Sequence, residues 1–275
     1  MICLITALIP ILSVSVPTTE TNGVTVVVLM YHGLRKDVSA QNEYTIAPSD
    51  FENDLKYLKE NGYNTITVSD LIAYFEKGTP LPSKPVMLTF DDGYYNNYVY
   101  AYPLLKKYNM KAIISPIGIT VDEYQKTQDE NPAYAQIDWD DIREMMTSGL
   151  VEFQNHTYNL HEIKNGTQGA AQIKGESDED YEKRLTEDLQ KLNDRFEEET
   201  GVVPSTVVFP FGAMNEKSIE IVKKMGFKAA MDCENKVNVF YSAEDLYAIH
   251  RFIRPNNIST KDYFENTVKI QQAYA

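Results

Sequence analysis

The chain has 275 residues, with 26 Lys and Arg against 40 Asp and Glu, a formal net charge of −14. Apolar residues make up 43% and charged residues 24%, a globular composition that excludes disordered, collagen-like and coiled-coil chains. The acidic balance excludes a nucleic-acid binder and docking on anionic lipid, which both need basic surface, and two cysteines, Cys3 and Cys233, exclude a disulfide scaffold.

Residues 2–16 carry no charge, and the first Lys or Arg is Arg35. The run is too short for a transmembrane span of about 20 residues. It reads as a secretory leader over residues 1–17, cleaved after Ser15 or kept as an anchor, and so implies an exported chain. The body follows at about residues 24–270. Val24–Met30 is a continuous apolar run, as in a strand buried on both faces. Phe51, Leu55 and Leu58 recur at helical spacing, and Gly62 ends that helix. Thr65–Val68 reads as a short strand, with Ser69 capping a helix through Phe75. Pro85–Phe90 is a second buried strand, followed by Asp91-Asp92-Gly93. A helix within Tyr98–Tyr108 takes Pro103 in its first turn. Ala112–Ile117 is the next strand, and Trp139–Thr147 the next helix. Val151–Phe153 delivers His156 just past its end. Three more strands read at Thr206–Phe209, Lys228–Met231 and Ala248–Ile253, with a helix at 215–225 between the first two. Val121–Asp138 and Glu162–Glu176 read as irregular rim loops. The alternation predicts a parallel α/β sheet or barrel.

Glu176–Glu199 holds eleven acidic and four basic residues, an excess of −7 that is half the net charge. Tyr181, Leu185, Leu189, Leu192 and Phe196 recur through it at helical spacing. It reads as an amphipathic helix with a solvated acidic face.

Three constellations at strand ends carry candidate chemistry. Asp91 and Asp92 adjoin at the end of an apolar strand, where like charges repel and burial is costly. A metal on one leaves the other as a free base; an Asp-Gly turn is the plainer alternative. His156 and His161 are two of only four histidines. Their i, i+5 spacing does not align on a helix, so the pair needs an irregular loop. With Asp92 they offer an N, N, O donor set that leaves room for water and substrate. Phe209-Pro210-Phe211-Gly212 can turn a backbone N–H into a cavity, where it would stabilise an oxyanion.

In this order, Thr89-Phe90-Asp91-Asp92-Gly93-Tyr94, the stretch from His156 to His161, and Phe209-Pro210-Phe211-Gly212 resemble the polysaccharide deacetylase family with its NodB-type domain. Leu29-Met30-Tyr31-His32 and the stretch from Trp139 to His156 resemble it too, so the likeness covers about residues 24–255. The histidine spacing is similar to the branch acting on poly-N-acetylglucosamine. The resemblance implies a single-domain, distorted (β/α) barrel with fewer than eight regular strands. It implies one divalent metal, with Zn²⁺ first and Co²⁺, Ni²⁺ or Fe²⁺ as alternatives, bound by Asp92, His156 and His161. It makes Asp91 the general base and the amide of Phe211 an oxyanion donor. Tyr94 and Pro210 become candidate substrate contacts. The implied reaction is hydrolysis of N-acetyl groups on an extracellular or cell-wall glycan, releasing acetate. The expected partner is an acetylated polysaccharide, with membrane contact only through an uncleaved leader.

Two positions depart from the family pattern. Many members carry an Arg two residues before the Pro of the third motif, where it orients the base; here that residue is Val208. Arg251 or Arg254 is the candidate replacement. The late motif that often supplies the acid is not clear, and His250 is the candidate there. His32 is a candidate for supporting the site from behind. An O-acetyl esterase and a glycan-binding homologue without catalysis are the competing functions. A two-histidine, one-carboxylate iron oxygenase shares the ligand set, but the ordered motifs do not favour it.

Overall fold

The computed structural model describes residues 23–164 and 166–275. The expected leader and Cys3 lie outside the described residues. Seven staves form a closed ring: β1 (Val24–Tyr31), β2 (Pro85–Asp92), β3 (Ala112–Pro116), β4 (Val151–Phe153), β5 (Thr206–Val208), β6 (Ala229–Met231) and β7 (Phe252–Ile253). Parallel ladders join β1 to β2, β2 to β3, β3 to β4, and β5 to β6. Single parallel bridges, Asn155 with Val207 and Met231 with Ile249, complete the β4–β5 and β6–β7 seams. The ring closes where Leu29 meets Phe252 and Met30 meets Ile253. Only β1 and β2 reach eight residues, so the barrel is distorted. It is a single mixed α/β domain, as the resemblance implies.

Helices α1 (Pro48–Glu60), α2 (Val68–Lys77), α3 (Tyr102–Tyr108), α4 (Gly118–Thr127), α5 (Trp139–Thr147), α6 (Asp178–Thr200) and α7 (Glu216–Lys224) lie between the strands. Alternation along each stave sorts side chains into two layers. Val26, Val28, Met87, Ile113, Val208, Met231 and Ile249 pack together inside the ring. Val27, Leu29, Leu88, Phe90 and Ile114 pack with Phe51, Leu105 and Trp139 of the helices.

Three local expectations change. Thr67, not Ser69, caps α2, because Asp70 three residues on closes a reciprocal capping box. The strand before it shrinks to Asn64–Thr65. The stretch from Val121 to Asp138 is partly regular, since α4 runs to Thr127. The acidic helix forms as α6 and buries all five residues of its apolar stripe.

Candidate active site

The staves place the site at their carboxyl ends. In β2 the inward positions are Met87, Thr89 and Asp91. By alternation Asp92 would face the helices. Its φ of 71° breaks the alternation and keeps its carboxylate at the mouth. This left-handed conformation is unfavourable for a residue with a side chain. Gly93 follows at φ 79°, where a Cβ would stand 2.6 Å from that of Pro116. Thr157 (φ 70°) and Phe211 (φ 59°) are also left-handed. Strained backbone thus recurs in all three motifs.

Asp92 Oδ1 stands 3.5 Å from His156 Nε2 and 3.3 Å from His161 Nε2. It is buried without a hydrogen-bond partner, which is costly to leave uncompensated. His156 Nδ1 lies 2.6 Å from the carbonyl of Val208. That carbonyl fixes the proton on Nδ1 and leaves the Nε2 lone pair turned to Asp92. Two imidazole nitrogens and an orphaned carboxylate oxygen fit a Zn²⁺-type ion with open positions. A second cluster, Asp232, Glu234 and His250, differs in spacing. His250 Nδ1 is only 2.8 Å from Asp232 Oδ2, the distance of a hydrogen bond rather than of two ligands on one ion.

Asp91 is fully buried, and Arg251 holds it with both ends of its fork: Nη1 to Oδ1 at 2.7 Å and Nη2 to Oδ2 at 2.9 Å. Nε of Arg251 donates to the carbonyl of Asp232 at 2.7 Å. Burial pushes the Asp91 carboxyl up, but the charge and hydrogen bonds of Arg251 outweigh it and hold Asp91 below the usual carboxylate range. Burial also opposes ionisation of Asp92, and the facing histidines overcome it. The Tyr94 hydroxyl is pushed well up by burial and by Asp92 beside it.

Asp91, Asp92, His156, His161, His32, Tyr94 and Phe211 line one cavity of about 630 Å³. The ring of Phe211 lies 4.7 Å from that of His161. His32 is partly buried in the wall, with its Nδ1 buried and unpartnered. Burial lowers its pKa, and Asp91 and Asp92 partly offset this. Three expected site residues stand elsewhere. Arg254 pairs with Asp54, not with Asp91. His250 does not line the cavity; alternation turns it outward onto Asp232. Pro210 is buried, with its Cβ against Gly169, and does not line the cavity either. The rim instead includes Asn42, Glu43, Tyr44, Gln168, Cys233 and Asn235. Gln168 ends the short strand Thr167–Gln168, and the others come from loops without periodicity, so sequence spacing gave no sign of them. The half-exposed Tyr44, 5.1 Å from His32, carried no motif signal.

Solved structures share this arrangement of strands. A de-N-acetylase from Aggregatibacter actinomycetemcomitans aligns with TM-score 0.74 at 29% identity, covering 87% of this chain and 99% of that one. IcaB from Ammonifex degensii aligns with TM-score 0.74 at 25% identity, covering 91% and 97%. Fold and site together define a NodB-like α/β barrel. The family model described as polysaccharide deacetylase matches residues 78–230, and the chain belongs to that family. The poly-beta-1,6-N-acetyl-D-glucosamine N-deacetylase of Escherichia coli K12 is 28% identical over 265 residues, 90% of this chain and 39% of the relative. The Staphylococcus aureus N315 protein of the same name is 27% identical over 256 residues, 88% and 81%. The chain thus spans about two-fifths of the Escherichia coli relative and four-fifths of the Staphylococcus aureus one.

Proposed function

We propose that residues 24–270 form a metal-dependent hydrolase that removes N-acetyl groups from an exported, N-acetylglucosamine-type polysaccharide and releases acetate. The observation that carries this reading is the pairing, in one cavity, of an Asp-His-His donor set with a separate carboxylate locked by arginine. The names of the relatives favour the N-acetyl substrate. Asp92, His156 and His161 would hold a divalent ion, Zn²⁺ first and Co²⁺, Ni²⁺ or Fe²⁺ as alternatives, which would supply Lewis-acid polarisation of the acetamide carbonyl.

The chain's own residues do the rest. Asp91 stays ionised and accepts a proton from the attacking water. Arg251 fixes the carboxylate's orientation. The amide of Phe211 donates to the carbonyl oxygen as it gains charge. When the C–N bond breaks, the leaving nitrogen needs a proton. We assign this proton to His32 in place of His250, because His32 lines the cavity and His250 does not. Val208 is no sign of lost catalysis, since Arg251 brings a guanidinium to Asp91 from another stave. No Lys or Arg lines the cavity among the described residues, which suits a neutral acetylated sugar and does not repel its cationic product.

Acetate release from N-acetylglucosamine oligomers tests the reading, with O-acetylated sugars as the second arm. A chelator should abolish release, and Zn²⁺ or Co²⁺ should restore it. Full activity after chelation overturns the metal role, and preference for the ester overturns the N-acetyl assignment. In the same assay His32→Gln should lose about 10²- to 10⁴-fold, while His250→Gln stays near wild type. The reverse ranking returns the acid role to His250.

A further inference from the structure

The loop from His156 to His161 has no regular structure, yet its backbone is closely accounted for. Four successive amides each meet a side-chain oxygen. Thr157 N donates to Asn155 Oδ1 at 2.9 Å, and Leu160 N to Thr157 Oγ1 at 3.2 Å. The two between them go to one carboxylate: Tyr158 N to Asp188 Oδ1 at 2.7 Å and Asn159 N to Asp188 Oδ2 at 2.9 Å. On the other side the first amides of α4 take the carbonyls, Gly118 N to Thr157 O at 3.1 Å and Ile119 N to Tyr158 O at 2.8 Å. Asn155 is itself tied to α6 through Leu189 O and Asn193 Oδ1.

Asp188 stands on the helix whose carboxylates the sequence assigns to a solvated face. It turns instead toward the loop, one residue before the buried Leu189. A carboxylate that accepts two adjacent N–H groups makes charge-assisted bonds of defined geometry. It can therefore hold a backbone path that Thr157, β-branched at φ 70°, would not choose by itself. That path decides where His161 arrives relative to His156.

We propose that Asp188 is a positioning residue for the metal centre: from α6 it sets the loop that brings His161 to Asp92 and His156. This rests on the metal-binding reading of those three residues. It assigns Asp188 an effect on metal affinity that burial or fold stability alone would not give.

The test measures Zn²⁺ affinity by competition with a chromophoric chelator, together with the melting temperature of the metal-free protein. The full chain is compared with Asp188→Ala, Asp188→Asn, Glu187→Ala and His161→Ala. Asp188→Ala should bind Zn²⁺ about 10- to 100-fold more weakly, the usual range for a residue that orients a ligand. Asp188→Asn keeps the shape and one acceptor, so it should fall between Asp188→Ala and wild type; it also serves if the alanine variant does not fold. Glu187→Ala, on the exposed neighbour, should match wild type. If both Asp188 variants melt lower but bind Zn²⁺ as tightly as wild type, Asp188 is only structural and the proposal falls alone. If His161→Ala binds Zn²⁺ as tightly as wild type, the metal-site reading falls first and takes the proposal with it.

Discussion

Arg251 and Arg254 lie three residues apart, both buried, and each grips an aspartate through two nitrogens. Their surroundings differ because the separation is odd. Ile249, Arg251 and Ile253 face the barrel interior and its mouth, while Phe252 and Arg254 face the helices. Arg251 therefore meets Asp91 at the floor of the cavity. Arg254 meets Asp54 of α1, between the barrel and the C-terminal segment, where Tyr31 and Thr260 also donate to the same carboxylate. Asp54 has both oxygens occupied and no exposed surface. Asp91 lines the cavity. One ion-pair chemistry thus stands at the candidate site on one face of a stave and serves cohesion on the other.

The largest expected effect breaks the first pair. Arg251→Met should lower turnover by about 10²- to 10³-fold, within the range a positioned base contributes, with the fold checked by circular dichroism. The pH profile is the sharper readout. The base must be ionised to accept a proton, and Arg251 helps hold Asp91 below the usual carboxylate range. Without Arg251, burial acts with less opposition and raises the Asp91 carboxyl. The acid limb of kcat/KM should therefore move to higher pH. An unmoved limb would mean that Arg251 does not tune Asp91.

Breaking the second pair should cost stability instead. Arg254→Met leaves Asp54 buried without its counter-charge, a loss of about 3–5 kcal/mol for a broken buried pair. Urea unfolding measures it. Turnover per folded molecule should stay near wild type, since Arg254 does not line the cavity. A collapse of turnover in folded Arg254→Met would erase the distinction between the two arginines.

The sequence made this distinction half legible. Alternation along the last stave separates Arg251 from Arg254, but which parity faces inward depends on the pairing of Leu29 with Phe252, which spans more than two hundred residues. The apolar runs placed the main staves, because a strand covered on both faces must be apolar throughout. The three motifs placed Asp91, Asp92, His156, His161 and Phe211 at strand ends, and the cavity gathers them. The rim was invisible, because loop residues such as Tyr44 and Asn235 follow no period. Asp188 was hidden by its company: among eleven acidic residues in one stretch, charge counting cannot single out the carboxylate that turns inward. Pro210 misled because a motif proline shapes the turn without facing the cavity.

The smallest predicted effect grades the second pair from within. Tyr31 donates to Asp54 Oδ2 at 3.2 Å, an oxygen that also accepts from Arg254 Nε at 2.8 Å. Tyr31→Phe removes one donor and leaves no acceptor orphaned, and the ring can keep its packing on Phe51 and Phe90. The cost should be about 1 kcal/mol, the net worth of an ordinary buried hydrogen bond, read as a shift in the urea midpoint with unchanged slope. Tyr31 immediately precedes His32, so the same variant also tests the boundary between the two regions. If kcat holds while stability falls, cohesion around Asp54 and chemistry around Asp91 are separable even between neighbouring residues. If kcat falls with stability, the Asp54 network also helps set the position of His32, and the two faces of the barrel are coupled through β1.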